Sequence, residues 1–185
     1  MKKSKLIFII SVILIPLIIF PLSIRSTAFN TKYYESETGK NLVNYLQNPA
    51  ADQLLISEFS EDEQSHLKDV QNLFLMNTIM LAAALILFTI FLPRTNIQKT
   101  LVFGGILTII LALILVLLIL NFDRAFTAFH HIFFTGNWQF SQASLLITLF
   151  PKSFFMAMAK RIIINTLILS AIATTAGFAL KSLVK

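Results

Sequence analysis

Residues 101–120 read LVFGGILTIILALILVLLIL, twenty positions without one ionisable side chain. At 1.5 Å per residue such a helix is about 30 Å long, the thickness of a bilayer's hydrocarbon core. It has no polar face to offer water, so a place on the surface of a soluble domain is excluded. Three further runs, 6–24, 73–92 and 162–180, are equally free of Asp, Glu, Lys, Arg and His. In hydrocarbon, backbone groups must pair within the segment that carries them, and the helix is the economical way to do so. The sequence therefore predicts an all-α membrane protein with four transmembrane helices.

The charges between the runs set the expected topology. Lys2, Lys3, Lys5, Arg94, Lys99, Lys181 and Lys185 lie in segments that contain no acid, whereas all nine carboxylates and all three histidines fall in 25–72 and 121–161. The positive-inside rule then places both termini in the cytoplasm and gathers the two polar segments into a small extracytoplasmic cap. The net charge of +6 reflects this topology, and no nucleic-acid partner is expected. Nor is a pump or channel, because no run carries a charge for an ion path. At 185 residues the chain is expected to form a single integral membrane domain. With no cysteine it has neither a disulfide framework nor a thiol nucleophile. The first run is longer than a signal-peptide core and is read as an uncleaved span, kinked in its outer half by Pro16 and Pro21.

Within the first polar segment, residues 40–47 carry Leu42, Tyr45 and Leu46 at helical spacing, and Asn48-Pro49 is expected to end that helix. Ser60 and Glu63 have the spacing of a capping box, opening a helix that continues into the second span. His66 lies seven residues before that span, about 10 Å along the axis, at headgroup depth. Glu63 and Asp69 flank it by one turn on each side, positions from which a carboxylate fixes an imidazole tautomer and raises its basicity. The same spacing also describes an ordinary solvated helix face.

The second polar segment holds ten aromatic residues between Phe122 and Phe155. Its first part reads as a helix capped by Asp123 and ended by Gly136. Phe126 and Phe134 share a face with His130, and His131 points about 100° away. An interfacial helix with an aromatic belt is one reading of this composition. The other is an apolar pocket for acyl chains beside a histidine. Two histidines on separate segments at one membrane plane suit paired general acid and base roles near neutral pH. Gly104 with Gly105, and Ala171 with Thr175, offer small surfaces for helix packing.

Taken in order, residues 59–70 (FSEDEQSHLKDV), 129–134 (FHHIFF), Trp138-Gln139-Phe140 and 146–151 (LITLFP) resemble the lipoprotein intramolecular transacylases of Gram-positive bacteria, four-span enzymes with an extracellular cap. The resemblance implies a plasma-membrane enzyme acting on diacylglyceryl-modified lipoproteins amid membrane lipid. It would move the acyl chain from the middle glyceryl position to the α-amine of the N-terminal cysteine, leaving a lyso-form. It implies catalytic roles for His66 and His130, supported by Asp69, Glu63 and His131. Tyr34, Phe126, Phe129, Phe133, Phe134, Trp138, Phe150 and Pro151 would bind substrate. An ester becoming an amide runs downhill, so no cofactor or metal is expected. The chain departs from the family pattern at Ser144, where an acid is expected, and at Lys152, where a glutamate commonly follows Phe-Pro. Two other readings stay open on the residues alone: a metal-dependent hydrolase using Glu63, His66 and His130, and a non-enzymatic cap protein.

Overall fold

A computed structural model describes residues 2–48, 50–51, 56–134, 136 and 138–183. The elements in order are α1 (Lys2–Ala28), a 3-10 turn at Thr31–Tyr33, α2 (Glu37–Gln47), α3 (Glu61–Phe91), a second 3-10 turn at Leu92–Arg94, α4 (Ile97–Ile119), α5 (Phe122–Phe133), α6 (Leu145–Leu149) and α7 (Lys152–Leu183). Among the described residues there is no β-strand. Four helices are long and apolar enough to cross a membrane: Ser4–Ala28, Glu61–Arg94, Ile97–Ile119 and Lys152–Leu180. Each begins before its charge-free run, because the polar turn ahead of the run belongs to the same helix. Pro16 and Pro21 both lie inside the continuous α1.

The chain divides into two compact units. The first comprises Met1–Ile24, Thr78–Leu117 and Arg161–Lys185. Its helices approach through small residues. A Cβ on Gly104 would meet Ile15 of α1, and one on Gly105 would lie 2.8 Å from the Ser170 carbonyl oxygen of α7 and collide with Thr174. Gly177 faces α4 in turn: a Cβ there would lie 2.8 Å from the Gln98 carbonyl oxygen. The expected Gly104–Gly105 surface is therefore used from both sides. On α7, by contrast, the face turned to α4 is Ser170, Thr174 and Gly177, while Ala171 and Thr175 are exposed. Because the obstruction at Gly105 is partly backbone, Gly105→Val is expected to cost about 1–3 kcal/mol by overpacking. A lowered melting temperature in detergent would register it.

The second unit comprises Arg25–Asn77 and Leu118–Lys160. Its core is formed by Tyr34, Leu42, Val43, Tyr45, Leu46, Ile56, Phe59, Leu67, Leu146, Phe150 and Met158. The helix expected at 40–47 starts three residues earlier, because Ser36 caps it by accepting from the Gly39 amide at 3.0 Å. It ends at Asn48, and Pro49 lies outside the described residues. Its last carbonyls are not left to water. Gln71 of α3, 1 % exposed, donates from Nε2 to the carbonyl oxygens of Tyr45 (2.6 Å) and Asn48 (3.0 Å).

The remaining second-unit elements follow local capping rules. Ser60 and Glu63 form the expected box, with the Ser60 amide on Oε2 of Glu63 at 2.8 Å and the Glu63 amide on the Ser60 hydroxyl at 3.4 Å. The cap of α5 is Asn121 and not Asp123: its side-chain oxygen accepts from the Arg124 amide at 3.3 Å, which leaves Asp123 inside the first turn and paired with Lys152. The charge reversal at 152 thus has a partner on α5. The helix stops at Phe133, where Phe134 turns extended, and no glycine with positive φ is needed to end it.

Candidate active site

α3 and α5 bring the two predicted histidines together inside the second unit. His66 is 8 % exposed and His130 7 % exposed. Their rings are nearly parallel, at an interplanar angle of 17° and a centroid separation of 6.1 Å. Each occupies the inner face of its helix, and the charge-free run of α3 begins only seven residues after His66.

Aromatic rings wall the pair. Phe134 lies 4.6 Å from the His66 ring and 5.2 Å from that of His130. Phe126 (4.1 Å), Trp138 (4.8 Å) and Phe129 (5.5 Å) pack on His130, and Phe140 (5.5 Å) packs on His66. Phe133 is on the outer side of α5, against Phe129 and half exposed. His131 is exposed and meets only the edge of the cluster, at Trp138. Between the adjacent histidines, the geometry brings His130 to His66.

Hydrogen bonding separates the two rings chemically. Nδ1 of His130 lies 2.8 Å from the Phe126 carbonyl oxygen. A carbonyl only accepts, so Nδ1 carries the proton and Nε2 keeps its lone pair. Nδ1 of His66 is buried without a hydrogen-bond partner. A buried nitrogen left so is costly, of order 1–3 kcal/mol, and marks a place where a ligand atom would be welcome.

Both rings are held neutral. Burial pushes His66 down to about 4, with the neighbouring His130 adding to the effect and the Asp69 carboxylate opposing it. Burial also lowers His130, against the pull of the Phe126 carbonyl, and His131 lowers it further. The pair therefore has room for one proton at most near neutral pH, which suits it to passing a proton rather than storing one.

The other expected site residues distribute unevenly. Asp69 is exposed and reaches His66 through its charge. Glu63 is 3 % exposed, and its carboxylate accepts from Ser60, from the hydroxyl of Ser144 and from the Leu146 amide at 2.8 Å. Burial opposes its ionisation, but these hydrogen bonds together hold it below the usual carboxylate range. Tyr34 and Phe150 belong to the core cluster and touch each other edge to face. The Tyr34 hydroxyl donates to the Ala28 carbonyl oxygen at 2.7 Å, and burial pushes its pKa up to about 12. Tyr34→Phe is expected to remove about 1 kcal/mol of stability, readable by thermal unfolding. Pro151 is exposed just ahead of α7. Among the described residues no three His, Asp or Glu side chains converge as a metal-ligand set.

Sequence reading did not anticipate Phe140 on His66, the Gln71 clamp, or α6 with its Ser144 cap. Five residues are too few for periodicity to speak, although a serine ahead of a short apolar run was a signal for α6.

A sequence model of the family described as "Lipoprotein intramolecular transacylase Lit" matches residues 36–155 of the chain. No curated protein matches it in sequence. Among solved structures, the membrane integral lipoprotein intramolecular transacylase Lit from Bacillus cereus is 24 % identical and superposes with a TM-score of 0.87, over 98 % of this chain and 97 % of that one. Two structures of the same Bacillus cereus protein with one histidine substituted are 22 % identical and superpose at 0.80, over 98 % of this chain and 93 % and 94 % of theirs.

Proposed function

Because the chain belongs to the lipoprotein intramolecular transacylase family, and is thus a multi-pass membrane acyltransferase with a lipoprotein substrate, we propose that it moves an acyl chain within one diacylglyceryl-cysteine terminus by two-histidine catalysis. The acyl group leaves the middle glyceryl oxygen and arrives on the α-amine, giving the N-acyl lyso-form. The observation that carries this reading is the buried, nearly parallel pair of His66 and His130 within an aromatic wall.

The steps follow from the two tautomers. The amine nitrogen attacks the ester carbonyl carbon while Nε2 of His130 takes an amine proton. The Phe126 carbonyl, already on Nδ1–H, steadies the imidazolium that results. His66, whose Nδ1 lacks a partner, faces the tetrahedral oxygen and the leaving glyceryl oxygen. The carbon–oxygen bond then breaks and the proton passes to the glyceryl oxygen, so nothing is consumed. Holding nucleophile and ester in one molecule and one slot supplies orientation, up to about 7–11 kcal/mol in the best intramolecular cases. Phe126, Phe129, Phe134 and Trp138 keep water from the ester, and Phe133, on the outer side of α5, extends the acyl path.

The chain acts as a single integral membrane domain. Its acid-free, lysine- and arginine-bearing segments support a topology with both termini in the cytoplasm and the histidines at the extracytoplasmic face of the plasma membrane. The test is to incubate the protein in lipid with a synthetic diacylglyceryl-cysteine lipopeptide and locate the acyl group by fragment-ion mass spectrometry. An N-acyl fragment at unchanged intact mass is the expected result. A free amine after incubation with folded protein overturns the proposal.

A further inference from the structure

The Glu63 carboxylate sits one helical turn before His66 but is directed elsewhere. Oε2 receives the Ser60 amide and hydroxyl at 2.8 and 2.9 Å, and Oε1 receives the Leu146 amide at 2.8 Å, across 83 residues of sequence. The Ser144 hydroxyl adds another hydrogen bond, while its oxygen accepts from the Ile147 amide at 3.2 Å. A buried anion is thus fully committed to joining the first turn of α3 to the start of α6.

Immediately before that junction runs the irregular stretch 138–144. It begins with Trp138 on the His130 ring and continues through Phe140 on the His66 ring. No helix or strand of its own fixes this strap, so its position depends on where its ends are held. Ser144, at one end, is the residue that Glu63 grips.

We propose that Glu63 is a positioning residue: from the start of α3 it anchors the 138–144 strap, holding Trp138 and Phe140 against the two histidines so that the acyl group is given to the amine and not to water. The inference rests on the transacylase reading above. The competing step is ordinary hydrolysis. A water oxygen bonds to the acyl carbon, the carbon–glyceryl oxygen bond breaks, and the proton goes to the glyceryl oxygen, releasing a fatty acid.

Two variants test this against wild type. Glu63→Gln keeps the side chain's shape but removes one acceptor, leaving a buried N–H unpaired. Ser144→Ala removes one donor to Glu63, together with the cap on the Ile147 amide, and keeps the Leu146 bond, so it carries the test if Glu63→Gln does not fold. Trp138 is the chain's one tryptophan, so acrylamide quenching of its fluorescence reports on the strap without chemistry. Intact mass of the lipopeptide reports on partition, because transfer gives an isomer and hydrolysis loses an acyl group. Glu63→Gln is expected to raise the quenching constant about twofold and the hydrolysed share about tenfold, with Ser144→Ala moving both less in the same direction. Wild-type quenching in the folded variants overturns the anchor, and raised quenching with unchanged partition overturns the positioning role. Absence of transfer by wild type strikes at the transacylase reading alone, since the quenching comparison is indifferent to chemistry.

Discussion

His66→Ala and His130→Ala are each expected to lower N-acyl transfer by roughly 10²–10⁴-fold, the range spanned by the loss of a positioned general acid or base. The effect belongs to the chemical step. The amine, once bound, no longer has Nε2 of His130 within reach, or the developing oxygen no longer meets His66. Because the two rings serve one step as a unit, the double variant should be scarcely worse than either single one. Truncation also leaves a cavity in a wall of phenylalanines, so Trp138 emission and the melting temperature must be read alongside the rate. His66→Gln and His130→Gln fill more of that space and should be equally inactive. His131→Ala provides the contrast: an exposed ring at the rim of Trp138 should change the rate far less than its neighbour. Near wild-type transfer by a folded His130→Ala would move the base elsewhere and sink the two-histidine assignment.

How far the sequence foretold this site depended on the range of the interactions. Four charge-free runs gave four long helices because that outcome depends only on length and polarity. The Ser60–Glu63 box and the facing of His130 with Phe126 were equally local, one turn of one helix, and both appear as read. What escaped were pairings across the chain. Spacing put Glu63 beside His66, yet a residue 83 positions away takes its carboxylate, and no periodicity on α3 carries that information. Ser144 looked like a lost acid, while its hydroxyl is a donor to an acid supplied by α3. Tyr34, which the resemblance places among the substrate-binding residues, has its hydroxyl on a backbone carbonyl six residues back, a partner that spacing did not disclose. On α7, Ala171 and Thr175 were the right kind of residue one position out of register, since small side chains do not declare which face of a helix meets its neighbour.

Acidification gives the other large effect, in rate and in stability. The nucleophile must be a free amine, with an ordinary pKa near 7.7–8.0, so transfer should fall about tenfold per pH unit below that value. A histidine base with the ordinary value of about 6.5 would steepen the fall to about a hundredfold per unit below pH 6.5. Burial lowers both His66, to about 4, and His130, so the step to a doubled slope should be displaced below pH 6.5. Stability follows the opposite logic. Between pH 6.5 and about 4 the unfolded chain binds a proton at His66 that the folded chain refuses, so the unfolded state holds more protons and stability falls as pH falls. The full window for this 8 %-exposed ring amounts to about 3 kcal/mol. Glu63 acts in the same direction: its folded pKa is lowered, so its contribution is present above the ordinary carboxylate value and is lost as pH drops through the folded one. Melting curves in detergent from pH 7 to 4 should therefore shift steeply downward for wild type and less so for His66→Gln, which has no ring to protonate. A second break in the rate near pH 6.5, with equal melting shifts in the two proteins, would mean that the rings titrate in water and that the aromatic wall does not enclose them.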